Sequence, residues 1–207
     1  MSTADATAPP TTAAPVRPSP PWELVLLGLT VLSLALIPIE IHRAFGLPAH
    51  PLLLHVPVIL VPLTGLGALA LVARPAWIAR HGLMVGILAV VSTVATILTV
   101  GAGEAFRADR GGGRPDELQR LNQHADAAET LRILIVLFTF ALLGWLLLHR
   151  RRLGGPAAIV LRVAVAALAV ASIFFVIRTG HLGAKVTWGD TGGGRGGLPQ
   201  GFVPPGS

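Results

Sequence analysis

From Trp22 onward the chain alternates long apolar stretches with short polar links, and that alternation predicts a set of membrane helices. The first stretch runs from Trp22 to Ile41, long enough to span, and leaves through Glu40, His42 and Arg43. Ser33-Leu34-Ala35 offers a cleavage-like pattern, but the run continues through Pro38, which favours a retained helix over a removed signal. After a link through Gly46 and Pro48, Pro51 stands where a first helical turn tolerates proline, and the second stretch extends to Ala73. Arg74-Pro75 ends it. The third covers Trp77 to Val100, with Gly82/Gly86 and Ser92/Thr96 at the small-xxx-small spacing that lets helices approach closely. Gly101 to Gly113 reads as a loop. Pro115-Asp116-Glu117 is a helix start, with proline first and acids in the first turn. That helix is expected to carry His124, Asp126 and Glu129 near the interface and to cross from Leu131 to Leu148. His149 and Arg150 to Arg152 stop it. The fifth stretch, Ala157 to Ile177, is rich in alanine, as suits a helix packed in a bundle.

The expected architecture is therefore all-α, an integral membrane bundle of five transmembrane helices, one N-terminal (22–49 with its link) plus a four-helix core (50–190). Residues 1–21 and 191–207, rich in Ala, Thr and Pro or in Gly and Pro, read as disordered tails. Composition agrees: 207 residues, 53% hydrophobic and 13% charged, with a mean hydropathy of +0.71, are too apolar for a water-soluble domain. With no Cys, disulfides, thiolate-held clusters and covalent haem attachment are excluded. The net charge of +6 is Arg scattered over the links, which argues against a nucleic-acid surface.

Five crossings put the amino terminus and the links 74–80 and 149–156 at one face, called B. The links 42–51 and 101–128 and the carboxyl tail fall at the other, called A. In the short B links Arg74, Arg80 and Arg150 to Arg152 crowd against helix ends, so B is expected to be cytoplasmic and the carboxyl terminus extracytoplasmic, in a multi-pass protein of the cell membrane. His42, His50, His55, His124 and His181 then all reach face A, and only His81 and His149 reach face B.

Intramembrane and interfacial imidazoles cost free energy unless they are paired, so the face-A histidines are where a site is expected. His50 and His55 are five residues apart, a rotation of about 140° on a regular helix, so both cannot face one axis. His50 precedes proline, which biases it toward extended backbone. His55 lies about 7 Å further in and reads as the inward ligand. A structural reading of His55 stands beside this one, because Pro57 and Pro62 free the carbonyls of Leu53 and Val58 for an imidazole N–H.

His50-Pro51, His55-x-Pro57, His124, Gly180-His181-Leu182-Gly183-Ala184 and Trp188-Gly189 together resemble the bacterial membrane family called domain of unknown function 2231, over about His50 to Asp190. Val56 stands where members typically have Phe, and Ala184 replaces a second Gly. The resemblance implies a redox-associated membrane protein. A haem b site needs two neutral imidazoles from different helices, acceptors for their other nitrogens and cations for the propionates. His55 with His124 or His181 supplies the first, Glu104, Asp126 or Glu129 the second, and Arg107, Arg120, Arg178 or Lys185 the third. The leading expectation is an electron-transfer protein exchanging with a quinone or an extracytoplasmic redox partner. A zinc or other divalent-metal site of His50, His55, His124, Asp126 and Glu129 is the alternative, followed by a non-enzymatic bundle subunit whose histidines cap helices.

Overall fold

A computed structural model of the chain describes residues 21–110 and 115–188. The elements are α1 (Trp22–Ser33), continued by a 3-10 turn Leu34–Leu36, then a two-strand hairpin of β1 (Arg43–Ala44) and β2 (Leu47–Pro48). These are followed by α2 (Ala49–Leu53), α3 (His55–Ala73), a 3-10 turn Pro75–Trp77, α4 (Ile78–Arg110), α5 (Pro115–Arg150) and α6 (Pro156–Trp188). Four helical segments are long and apolar enough to cross a membrane: Ala49–Ala73, Pro75–Asp109, Pro115–Arg150 and Pro156–Trp188. The protein is a multi-pass membrane helical bundle.

The N-terminal helix is shorter than expected, 12 residues plus one 3-10 turn. Its segment nevertheless travels the length of the bundle. Trp22 lies against Gly82 and Gly86, while the Ile39 carbonyl lies against Gly101, 19 positions or about 28 Å further along α4. The glycines make this docking close, as their spacing predicts. The hairpin that follows turns through Phe45 (φ 53°) and Gly46 (φ 79°), two left-handed residues in succession as a two-residue hairpin turn demands. It delivers the chain to Ala49, whose N–H donates to the His42 carbonyl at 3.1 Å.

Two helices run further toward face A than expected. α4 continues through Gly101 and Gly103 to Arg110, where a loop was predicted, and α6 continues through Gly180 and Gly183 to Trp188 rather than ending at Ile177. Glycine inside a helix costs only about 1 kcal/mol relative to alanine. Three of these glycines are used: Gly101 admits the Ile39 carbonyl, Gly103 admits His50 and Gly183 admits His124. Residues 111–114 of the predicted link, and both predicted tails except Pro21, lie outside the described residues.

The four long helices close a square in which α3 packs on α4, α4 on α5, α5 on α6 and α6 back on α3, with α1 against the α4–α5 edge. The square has a pseudo-two-fold axis that is legible in the burial. Val61, Thr64, Ala68 and Leu71 of α3 and Ile135, Phe138, Leu142 and Trp145 of α5 are all buried, each pair 74 positions apart. Val85, Ala89, Ser92 and Thr96 of α4 match Val165, Ala169, Ser172 and Val176 of α6 at a spacing of 80. Contacts obey the same operation. Thr93 on α4 bonds Thr139 on α5 at 2.8 Å, and at the equivalent crossing Ile173 on α6 packs on Gly65 of α3. Thr64 bonds Ser92 at 3.0 Å, whereas the equivalent Ser172 finds Phe138 in place of a hydroxyl and its buried Oγ has no partner. Such interhelical bonds average about 0.6 kcal/mol in membranes, so they align helices that van der Waals packing holds together.

Gly101→Ala sets a methyl against the Ile39 carbonyl and should lower stability by about 1–3 kcal/mol, the usual cost of overpacking. Gly180, also helical but with open space around it, should accept Ala with no loss or a small gain. Thermal unfolding of the two variants in detergent checks this; equal destabilisation would mean that Gly101 is not a docking point.

Candidate functional site

The pseudo-symmetric hairpins bring one histidine each to the bundle axis at face A. His50 sits in the first turn of α2 and its Nδ1 donates to the carbonyl of Thr99 on α4 at 3.0 Å. His124 sits on α5, and its Nδ1 donates to the carbonyl of Thr179 on α6, also at 3.0 Å. A carbonyl only accepts, so each Nδ1 carries a proton, and in the neutral form of each ring the lone pair falls on Nε2. One turn beyond each threonine is a glycine on which the ring rests. A Cβ at Gly103 would stand 3.0 Å from His50, and one at Gly183 would stand 3.1 Å from His124. The motif Thr-x-x-x-Gly thus occurs twice, 80 positions apart, and serves one imidazole each time.

The two rings meet edge-on near the axis, with centroids 6.2 Å apart and planes at 80°. Phe106, one turn past the Thr99–Gly103 seat, stacks on His50 at 6.3 Å. Both rings are half-buried, and the buried residues nearest them in sequence are small: Ala49, Ala102, Ala105 and Ala127. His124 precedes the apolar stretch that starts at Leu131 by seven residues, about 10 Å, which puts the pair at the level of the headgroups.

This pairing differs from the expected one. The 140° argument holds, since His50 and His55 do not face the same way, but the member that faces the axis is His50. Pro48 precedes α2 and Pro51 falls inside its first turn, where no intrahelical N–H is needed, so His50 is helical despite preceding proline. His55 is exposed on the outward flank of α3 with Leu52, Val56 and Ile59. His181 is exposed as well, about 200° around α6 from Gly183. His42 bonds Asp109 at 3.0 Å and ties the N-terminal link to the end of α4.

The acidic residues expected to orient the rings do not touch them; main-chain carbonyls take that role. Glu129 pairs with Arg132 at 2.6 Å, and Arg132 reaches Glu104 on α4 at 3.8 Å. Asp126 is exposed and lines a small cavity of about 230 Å³ with Gln123, Thr130 and Arg178. The proposed metal set of His50, His55, His124, Asp126 and Glu129 is therefore not assembled. Among the described residues no group of three or more His, Cys, Asp or Glu is placed to hold a metal ion. Of the cations, Arg107 bonds Asn122 at 3.3 Å, Arg120 pairs with Asp116 at 3.3 Å, Arg178 lies over Phe175 at 5.7 Å, and Lys185 is exposed. All four lie within a turn or so of the imidazole layer.

Sequence reasoning missed Thr99, Thr179, Gly103 and Gly183 as ring seats and Arg132 as the charge of the face-A half of the bundle. The signal for the first four was present as Ser-x6-Thr-x3-Gly, read once from Ser92 and again from Ser172.

No curated protein and no solved structure matches the chain. Residues 46–194, which contain both ring seats and all four long helices, match the family described as Predicted membrane protein (DUF2231), and the chain belongs to that family.

Proposed function

We propose that the protein is a membrane electron-transfer protein that holds one haem b between His50 and His124 and exchanges electrons with a quinone or an extracytoplasmic redox partner. The observation that carries this reading is the opposed pair itself. Two imidazoles on diagonally placed helices each have Nδ1 committed to a carbonyl and Nε2 free to ligate. The two rings lie 6.2 Å apart, centroid to centroid, so both would be at hand to hold one group placed between them.

The donor count favours haem over a bare metal ion. A bare zinc ion takes about four ligands and the site supplies two. Haem would need only two side chains from the protein, and His50 and His124 would be those that hold it. Arg107, Arg120, Arg178 and Lys185, near the imidazole layer, are the cations available to propionates. When bound, the haem would supply a one-electron redox centre. The chain's contribution is to fix both tautomers through Thr99 and Thr179, to hold the rings apart on glycine seats, and to keep the pair half-shielded at the headgroup level. Face B carries no opposed pair among the described residues. His81 stacks edge-on against Trp77 at 6.2 Å and His149 sits at the end of α5.

Purified protein should therefore carry about one haem per chain with a low-spin spectrum. Either His50→Ala or His124→Ala should abolish that spectrum while the protein stays in the membrane, and His55→Ala and His181→Ala should keep it. Loss of absorbance in His55→Ala with retention in His50→Ala would overturn the assignment. If no histidine substitution changes any bound species, the rings serve only to pack helices.

The orientation that goes with this function places face A outside, on the strength of Arg74, Arg80 and Arg150 to Arg152 at face B. Reporters fused after Arg110 and after Trp188 should both report an extracytoplasmic location. Cytoplasmic signals at both positions would reverse the orientation and move the redox partner to the cytoplasm.

A further inference from the structure

A cavity lies at the other end of the bundle from the histidine pair. It measures about 720 Å³ and opens between the start of α1, the start of α4, the end of α5 and the turn into α6. Its walls divide by chemistry. Trp22, Trp145, Ile78 and Leu83 make an aromatic and aliphatic side, and His149, Arg150 and Arg152 make a basic rim. The one acid is Glu23, 1% exposed and paired with Arg150 at 3.4 Å, so the rim stays basic after that pairing. From Leu83 the exposed apolar side chains Ile87 and Val91 continue down α4 at helical spacing toward the middle of the bilayer.

A cationic rim, tryptophans at the interface and an apolar track leading away from it suit a molecule with an anionic head and a hydrocarbon tail. We infer that this cavity is a binding site for an anionic phospholipid, with the phosphate at Arg152 and His149 and an acyl chain along Leu83, Ile87 and Val91. Basic pockets between membrane helices recognise phospholipid heads by this combination of charge and depth. The volume is within the range of sites that enclose ligands of several hundred ångströms cubed, enough for a head and the first part of the chains. Arg152 lines the cavity from the turn before α6, where its backbone is left-handed (φ 54°). Two of the walls, Trp22 and Glu23, lie outside the residues matched to the family, so the N-terminal helix completes the site. The inference stands apart from the haem reading.

The test is lipid retention by the purified full chain, read by native mass spectrometry and by the rise in unfolding temperature when phosphatidylglycerol or phosphatidylcholine is added to the detergent. Phosphatidylglycerol should be retained and should stabilise more than phosphatidylcholine. Arg152→Gln should weaken that retention about fivefold, the effect of one basic side chain near an anionic lipid. Arg151→Gln removes the same charge from the same turn but not from the cavity wall, and should change retention less than twofold. Equal losses in the two variants would reduce the effect to surface charge and overturn the site. Equal retention of the two lipids would overturn it as well. Competition by millimolar inorganic phosphate alone would show a soluble anion site, and preferential retention of ubiquinone would show a quinone pocket; either result replaces the proposal.

Discussion

A polar ring withdrawn from water must find a hydrogen-bond partner, and at the edge of a bilayer a main-chain carbonyl is the partner most readily supplied. Both face-A imidazoles are bound in this way, to Thr99 and Thr179. Much else follows from that one bond made twice. The carbonyl must be brought against the ring, so a glycine follows one turn later and the helix continues past it. α4 and α6 therefore run beyond the apolar layer as rigid posts. The rings are clamped from opposite sides and meet at the axis with their Nε2 atoms uncommitted.

The crossings, their order and the proline-initiated start of α5 were legible because apolar runs and helix-start residues are local signals. So was the close approach of α4, through Gly82 and Gly86. Helix ends were not legible where glycine stood, since Gly101 and Gly103 read as part of a loop, and the use of Gly101, Gly103 and Gly183 as docking points depends on partners distant in sequence. The choice between His50 and His55 failed for a related reason. The bias of a residue before proline is small, and burial of Ala49 with the docking of His50 on Gly103 outweighs it. The first helix was read as longer than it is because apolarity persists through Ile37 and Ile39 while the backbone leaves the helix at Leu36. Arg132 went unnoticed because a lone cation at the start of an apolar run looks like a boundary, whereas its two carboxylate partners come from another helix and from its own preceding turn.

The pseudo-two-fold axis is broken where α1 docks. At the α4–α5 edge Gly82, Gly86 and Gly101 clear a groove for Trp22, Leu26 and the Ile39 carbonyl. The positions 80 residues later are Arg162, Ala166 and His181, and Arg162 instead turns to the Val72 carbonyl at 2.5 Å. Side chains now stand where the groove would be at the α3–α6 edge. α3 and α6 are accordingly the helices with most of their apolar surface outward, carrying Ile59, Leu63, Leu66, Val163, Val170 and Ile177 toward lipid.

A single hairpin of this bundle, taken alone, owns one imidazole and one seat, which is half of the ring pair. Two identical copies meeting about a true two-fold axis would own a complete pair, but only at concentrations that favoured their meeting. Joining the copies in one chain makes the encounter intramolecular and independent of expression level. It also releases each half from the requirement to match itself. Phe138 opposite Ser172, Arg162 in place of Gly82 and a helix clasped to one edge alone are divergences that a symmetric dimer would have had to make twice.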